Sequence, residues 1–573
     1  MDSKRIMREY YRWVDWAVED SDIKEELNNI AGNYDKIEDA FYRNLEFGTG
    51  GLRGVIGAGT NRMNIYTVAK ASQGLARYVK KQGYGATSIA VSYDSRIKSK
   101  LFARIASEVF VGNGIRVYLY DSLMPTPCLS FAVRQLKCAA GIMITASHNP
   151  AKYNGYKVYG PDGCQITTEV ASDILDEIEA TDIFEGICRA NFDESIVVGS
   201  INYILPEIVT GFIEAVKSQS VLGPNDVVDK DVAIVYSPLN GTGLKPVLRT
   251  LNESGFTNIT VVKEQELPDG NFPTCPYPNP EIQDAMSLGI EYARKCNADL
   301  LLATDPDCDR VGVAVKDANG KYVLLSGNET GMLLLDYICS RRKTIGTMPE
   351  KPIFFKTIVT IDMAERIAEH YGVSTKNVLT GFKYIGEQIG LLESKGQEER
   401  YIFGFEESYG YLSGSYVRDK DAVGGVFLIC EMFAYYKSKG IDLWEKMQEL
   451  YRTYGYCLNT LHSFEFEGVT GFQRMQEIMA LMRKGIDTLA GKRVLECLDY
   501  SKGLNGLPKS DVLRFLLEDH CTIVVRPSGT ESKMKIYMSI SARDMGRGCN
   551  NRKTDEGEYK TILISRILSS DSE

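Results

Sequence analysis

One pattern occurs three times in this chain and confines it to layered α/β architecture. Ser88–Tyr93 is a short apolar run, Asp94-Ser95-Arg96 a polar break, Leu101–Asn113 a helical stretch and Ile115–Tyr120 a second strand-like run. The order recurs as Val232–Tyr236, the loop Asn240–Gly243, a helix over Leu244–Ser254 and the strand Asn258–Val262. It recurs again as Pro352–Lys356, a helix over Met363–Tyr371 and the strand Lys376–Leu379. Short apolar runs alternating with helical periods predict βαβ units and mixed, mostly parallel sheets. Copies this far apart are three related domains rather than a solenoid, whose periods are shorter. The C-terminal part reads differently: Phe472–Lys484 is helical, Cys521–Val525 and Lys535–Ser539 are strand-like, and together they predict a smaller α+β domain. Arg543–Glu558 reads as an exposed connection before a final helix.

Bulk properties exclude several functions. A chain of 573 residues is too long for one core. Its net charge of -10 leaves no basic surplus to neutralise a nucleic-acid backbone or an anionic membrane. No apolar run approaches the roughly 18 residues that span a bilayer. Asp2, Lys4, Arg5, Arg8 and Glu9 precede any apolar stretch, unlike a secretory signal, so the expected location is cytoplasmic. Ile6, Tyr10, Trp13, Val14 and Ala17 recur at helical spacing and predict an amphipathic helix packed on the body. The 13 cysteines include no Cys-x-x-Cys pair, so reduced core residues are expected. The 4 histidines lie too far apart in sequence for a His-based zinc site.

Four segments carry chemistry. Thr145-Ala146-Ser147-His148-Asn149-Pro150 follows the apolar strand Gly141–Ile144 and precedes Tyr153–Lys157, a loop returning to extended chain. It places a serine at a strand end beside a histidine, with Lys157 ten residues on. That is a nucleophile in a polar, cationic setting, or else a turn favoured by Ser, Asn and Pro. Asp305, Asp307 and Asp309 alternate after Leu300–Ala303, and in extended chain alternation puts all three carboxylates on one side. Three like charges so close call for a cation, and an oxygen-only set suits a hard divalent ion such as Mg²⁺. An EF-hand is excluded because Arg310 and Lys316 stand where its loop needs Gly and Glu. Arg526, Ser528, Gly529 and Thr530 combine a guanidinium, two hydroxyls and flexible backbone, a phosphate clamp in kind. Glu406 and Ser408, two apart in a Gly-bounded loop, can bond adjacent sugar hydroxyls, or form a capping turn into a helix. No P-loop or Gly-x-Gly-x-x-Gly is present.

In this order, the Ser147 segment, Thr304–Arg310, Gly404–Gly410 and Arg526–Glu531 resemble the α-D-phosphohexomutase superfamily. Gly48–Gly54, Arg62-Met63-Asn64 and the chain length resemble its long phosphoglucomutase/phosphomannomutase branch. The resemblance implies three α/β domains and a fourth α+β domain around one central cleft. The expected division is a helical extension over 1–45, domain I with the serine over 46–205 and domain II with the metal loop over 206–325. Domain III with a sugar-recognition loop follows over 326–455, and domain IV with the phosphate loop over 456–573.

The resemblance also implies roles. Ser147 becomes the phosphoserine and, with Asp305, Asp307 and Asp309, holds one Mg²⁺. Lys157 matches the family's general acid/base ahead of Lys420, on the expectation that a desolvated cationic pocket lowers a lysine pKa. Arg53 stands near the phosphoserine, and His148 is a hydrogen-bonding neighbour rather than the base. Arg310, Thr380, Gly381, Glu406 and Ser408 belong with the sugar, and Phe382 sets no specificity. The implied reaction interconverts glucose 1-phosphate and glucose 6-phosphate, with glucose 1,6-bisphosphate as activator and a small phosphosugar as the partner. Phosphomannomutase and phosphopentomutase are the nearest alternatives. A phosphatase with Asp305 as nucleophile, or a non-catalytic phosphosugar sensor, is more distant. The sequence sets no oligomeric state.

Overall fold

The computed structural model describes residues 3–542 other than Thr49, residues 84–86, Glu467, Ala490, Asn505 and residues 528–532. Three of its sheets share one wiring. In the first, the parallel strands Ala140–Ile144, Ser88–Tyr93 and Arg116–Leu119 lie side by side, and Tyr153–Tyr159 returns antiparallel to Ala140–Ile144. In the second, Leu300–Thr304, Ile234–Ser237 and Ile259–Val261 are the parallel strands and Val311–Lys316 the antiparallel return. In the third they are Tyr401–Glu406, Ile353–Thr357 and Ser374–Val378, with Gly410–Leu412 returning. The helices Ser99–Gly112, Leu244–Glu253 and Met363–His370 make the first crossover of each unit. Ala140–Ile144 and Leu300–Thr304 are buried at every position, as parallel strands covered on both faces must be.

The three predicted βαβ repeats are therefore present, with ends moved by one or two residues. Tyr153–Lys157, expected as a loop returning to extended chain, is extended throughout, within the strand Tyr153–Tyr159. Its partners explain this: it sits between Ala140–Ile144 and Gly51–Val55 and pairs antiparallel with both. Gly155 in that strand runs so close to its neighbours that a Cβ would lie 2.5 Å from the Thr145 carbonyl oxygen.

The fourth sheet is six-stranded and antiparallel throughout, in the order Tyr456–Glu465, Lys533–Ala542, Cys521–Pro527, Leu513–Leu517, Lys492–Asp499 and Thr488–Leu489. Helix Gly468–Arg483 covers it, packing Met475 and Met479 on Leu513 and Phe515. This sheet docks on the third unit through Asp362, which accepts hydrogen bonds from Arg514 Nη2 at 2.9 Å and Thr522 Oγ1 at 3.0 Å. Burial alone would raise the Asp362 carboxyl, but Lys356 and Arg514 outweigh it and hold the pKa at about 2. The segment Arg543–Glu558 and the final helix expected after it lie outside the described residues. No helix among those described is long and apolar enough to cross a membrane.

Three N-terminal helices, Ser3–Trp16, Ser21–Asn29 and Tyr34–Phe41, pack on the core of the first unit. Ile6, Tyr10, Trp13 and Ala17 are buried, whereas Val14 is 38% exposed. Val14 lies about 100° round the helix from Trp13, off the buried stripe. Trp13 meets Phe41, Tyr66 and Phe184 edge-on, with ring centroids 5.4–5.7 Å apart. Its indole N–H is buried without a hydrogen-bond partner. Trp13→Ala should therefore destabilise the first unit by about 3–5 kcal/mol, and Trp13→Phe by much less. Urea unfolding read by far-ultraviolet circular dichroism checks the order, and equal losses for both would contradict the packing account.

Candidate active site

The shared wiring places a turn at the same point of each unit, between the third parallel strand and its antiparallel return. Ser147, Cys308 and Tyr409 each occupy such a turn with a left-handed backbone, at φ of 52°, 53° and 64°. For a residue with a Cβ that conformation costs on the order of 1–2 kcal/mol. The three turns meet. Thr126 at the head of helix Thr126–Gln135 donates its backbone N–H to the Asp307 carbonyl at 2.9 Å. Ala422 N–H of the third unit bonds the Cys308 carbonyl at 3.3 Å, and Val311 N–H bonds the Tyr409 carbonyl at 3.2 Å.

Asp305, Asp307 and Asp309 lie in the second turn, with ligand oxygens within 4.8 Å of one another. The chain there is a turn rather than the extended segment expected from alternation; convergence comes from the reversal after Thr304. All three carboxylates are buried, and burial opposes their charge. Burial, then Asp307 and Asp309, push Asp305 well above the carboxylate range. At Asp307 burial is outweighed by Lys157, and at Asp309 burial and Asp307 are outweighed by Lys420 and Lys157, so both stay low. Lys157 Nζ lies 2.7 Å from Asp307 Oδ2 and 3.4 Å from Asp309 Oδ2; Lys420 Nζ lies 3.1 Å from Asp309 Oδ2. Asp307 Oδ1 and Asp309 Oδ1 are buried with no hydrogen-bond partner among the described residues. An oxygen-only set with two such orphaned acceptors fits a hard divalent cation.

The lysines behave differently from the sequence expectation. Burial lowers the pKa of each, but Asp307 and Asp309 hold Lys157 above its ordinary value, and Asp309, Asp419 and Glu406 do the same for Lys420. The adjacent carboxylates, which a lysine considered alone does not reveal, decide the sign.

Ser147 Oγ donates to Asp305 Oδ2 at 2.8 Å and lies 3.1 Å from His148 Nδ1. Burial, with Arg310 and Arg53, drives the His148 pKa well below its ordinary value, so the imidazole is neutral. Arg53 bonds Asn149 Oδ1 at 3.2 Å from the neighbouring strand.

Arg96 is the principal residue that sequence reasoning missed. Its Nη2 donates to the carbonyls of Ser147, at 2.5 Å, and Asn149; its Nη1 donates to those of Pro150 and Tyr153, at 3.0 Å each. Asp94 lies 3.3 Å from Nε, and the guanidinium sits 5.1 Å from the Phe272 ring centre of the second unit. Thr126 was also missed: its Oγ1 donates to Asp307 Oδ2 at 3.0 Å. Asp94-Ser95-Arg96 was visible as a loop after a strand, but nothing local marks four carbonyl partners about fifty residues away.

On the sugar side, Glu406 Oε1 accepts from Gly381 N–H at 3.0 Å. Burial pushes the Glu406 pKa up to about 7 against the pull of Lys420. The Glu406–Tyr409 segment turns between two strands, so the helix-capping alternative is excluded. Arg53, His148, Arg310, Thr380, Gly381, Glu406, Ser408, Lys420 and Arg526 all line one cleft of about 720 Å³. Ser147 and the three aspartates are buried behind that lining, in contact with it where Ser147 Oγ meets His148 Nδ1 and Asp309 meets Lys420. Asn459, Lys535 and Tyr537 of the fourth sheet line it too and were not anticipated. Arg526 stands on the strand Cys521–Pro527 beside Tyr537. Ser528, Gly529 and Thr530 lie outside the described residues.

Three family models match the chain: phosphoglucomutase/phosphomannomutase alpha/beta/alpha domain I over residues 44–183, domain II over 210–320 and domain III over 326–454. A phosphoglucomutase of Staphylococcus aureus (strain MSSA476) is 37% identical over 525 residues, covering 88% of this chain and 91% of the relative. One of Staphylococcus haemolyticus is 35% identical over 518 residues, covering 88% and 92%. Among solved structures, the open form of the exocytosis-sensitive phosphoprotein pp63/parafusin of Paramecium shares the fold, with a TM-score of 0.69, 17% identity and coverage of 92% and 96%.

The Arg96 clamp has a consequence measurable without any substrate. A hydrogen bond to a charged donor is worth about 1.5–3 kcal/mol. Arg96→Ala should therefore speed amide hydrogen exchange in residues 145–153 by about tenfold or more. Arg96→Lys should restore little of it, because one ammonium lacks the planar fork that reaches four carbonyls. Unchanged exchange in Arg96→Ala would show that the turn holds itself.

Proposed function

Because the chain belongs to the phosphoglucomutase/phosphomannomutase family and is thus a phosphohexomutase, an isomerase, we propose that it interconverts glucose 1-phosphate and glucose 6-phosphate through a phosphoserine at Ser147. The observation that carries the assignment of the nucleophile is the position of Ser147 Oγ. It lies 2.8 Å from one carboxylate of the acidic group and 3.1 Å from the neutral His148, which lines the shared cleft. The two anomalies of the acidic turn, orphaned oxygens and concentrated charge, support Mg²⁺ as the cation held by Asp305, Asp307 and Asp309. When bound there, such an ion withdraws electron density from a phosphoryl group on Ser147.

In the proposed cycle a sugar hydroxyl attacks the phosphorus of phospho-Ser147. The new O–P bond forms as the bond to Oγ breaks; a lysine ammonium gives its proton to the departing Oγ and, neutral after that, takes the proton of the sugar hydroxyl. Lys157 is the first candidate and Lys420 the second, since the raised pKa of each makes it a proton donor and both reach Asp309. The bound bisphosphate then presents its other phosphate, and the reverse transfer regenerates phospho-Ser147. Glucose 1,6-bisphosphate is accordingly the activator that loads the free serine. Arg53 and Arg310 suit the charge on the transferring group. Glu406 and Ser408 orient the ring hydroxyls, with Thr380 and Gly381 beside them. Arg526 holds the phosphate that is not reacting, together with Ser528, Gly529 and Thr530. Mannose and pentose phosphates present similar groups and are the nearest alternative substrates. The phosphatase alternative is disfavoured because Asp305 is already engaged: Oδ2 by Ser147, and Oδ1 by the N–H groups of Asp309 and Arg310 at 3.0 Å.

Incubation with glucose 1,6-bisphosphate should place one phosphoryl group on the peptide containing Ser147, and Ser147→Ala should prevent it. In the same assay, glucose 1-phosphate should turn over faster than mannose, ribose or deoxyribose 1-phosphate. Label on Asp305 would replace the mutase reading with the phosphatase one. Arg526→Ala should raise KM for glucose 1-phosphate and glucose 6-phosphate alike by about ten- to a hundredfold, the worth of a charge-assisted hydrogen bond. A rise for only one substrate would show that the loop does not serve both orientations.

A further inference from the structure

Apart from the catalytic cleft, the first unit encloses a cavity of about 600 Å³ between residues 44–48 and the helix Thr168–Glu179. That volume lies within the usual range for a small-molecule site. Leu45, Phe47, Leu52, Ala71, Leu175 and Ile178 make its walls largely apolar. Two cations line it: Arg526, which also lines the catalytic cleft, and Lys70. Lys70, on helix Ile65–Lys81, lines this cavity and also an adjoining cleft of about 330 Å³ bordered by the N-terminal helix. It is half-buried and makes no hydrogen bond or ion pair among the described residues. Burial drives its pKa down, and Asp182, Glu179 and Glu9 offset only part of that from a distance. Asp182 is itself committed to Arg12 at 2.5 Å and to the N–H groups of Phe184 and Glu185. An ammonium that has lost water without gaining a partner favours an anion at its tip.

We propose that this cavity binds an amphipathic monocarboxylate, its carboxylate paired with Lys70 and its hydrocarbon body against the apolar walls. The Lys70 ammonium balances one negative charge, while Arg526 is shared with the catalytic cleft. Glu46 and Glu179 line the same walls and would repel a phosphate dianion. The site also adjoins the catalytic cleft. Arg526 lines both cavities, and the strand Phe47–Gly48 on the cavity wall pairs with Gly51–Val55, which carries Arg53. An occupant therefore presses on two elements that present cations to the catalytic cleft, and its binding is coupled to substrate affinity.

Octanoate is a suitable probe, with octylamine as the charge-reversed control and inorganic phosphate as the dianion control. Titration calorimetry on the full chain should show saturable one-to-one binding of octanoate, none of octylamine, and no competition by phosphate. Lys70→Met should weaken octanoate binding by about tenfold or more. Ser172→Trp keeps the lysine but plugs the exposed rim of the cavity, and should weaken it as well. Thermal midpoints of both variants guard against loss of fold. Saturating octanoate should also change KM for glucose 1-phosphate in the unaltered chain and leave it unchanged in Lys70→Met. Octanoate binding that is absent, that survives Lys70→Met, or that octylamine matches would overturn the site. Saturable binding with no change in KM would overturn the coupling.

Discussion

Everything near the centre of this molecule answers to three carboxylates crowded into one buried turn. Asp305, Asp307 and Asp309 have almost no access to water, and like charges this close repel strongly where solvent cannot screen them. The chain meets the problem from three directions. Lys157 arrives on a strand of the first unit and Lys420 on a loop of the third, while Thr126 and Ser147 supply neutral donors. Two carboxylate oxygens still lack partners, which leaves a place for a cation. Separated from its neighbours, the second unit would carry this charge unpaired. The assembly of the units and the readiness of the site are therefore one physical event.

The repeated wiring makes that assembly possible. Each unit ends its parallel core with a turn into an antiparallel strand, and each turn accepts a left-handed residue, Ser147, Cys308 or Tyr409. Hydrogen bonds that cross between units, such as Thr126 to Asp307 and Ala422 to Cys308, hold these strained turns against one another. Ser147, proposed as the nucleophile, the acidic group and Glu406, proposed to face the sugar, thus come from three copies of one topological position. The fourth sheet contributes differently. Docked through Asp362, it brings Arg526, Lys535 and Tyr537 to the open side of the cleft.

Around Ser147 the structure spends buried charge on geometry rather than on chemistry. The Arg96 guanidinium touches no reacting group, yet its bonds to the carbonyls of Ser147, Asn149, Pro150 and Tyr153 fix the turn on which the hydroxyl stands. Lys70 is the opposite case: a cation in the same unit whose surroundings provide apolar walls but no bonded anion. The guanidinium bonds four carbonyls and the ammonium bonds no anion among the described residues, and that difference separates a structural cation from a candidate binding group.

The sequence by itself determined the elements and the chemical alphabet. Periodicity marked the three βαβ repeats, because alternating apolar runs and helical periods are local properties. Ser147, the three aspartates, Glu406 and Arg526 stood out because their neighbours in the chain are unusual. Only the tertiary structure decided what these residues do to one another. It turned the Asp305–Asp309 segment back on itself instead of extending it, and set Tyr153–Lys157 between Ala140–Ile144 and the strand Gly51–Val55, which is distant in sequence. It set the Lys157 pKa upward rather than downward, because the carboxylates that dominate it lie about 150 residues away. It also revealed Arg96 and Thr126, whose partners are backbone carbonyls and a carboxylate across the fold. Charge pairing and burial act through space at a few ångströms, and the order of residues along a chain does not record those distances.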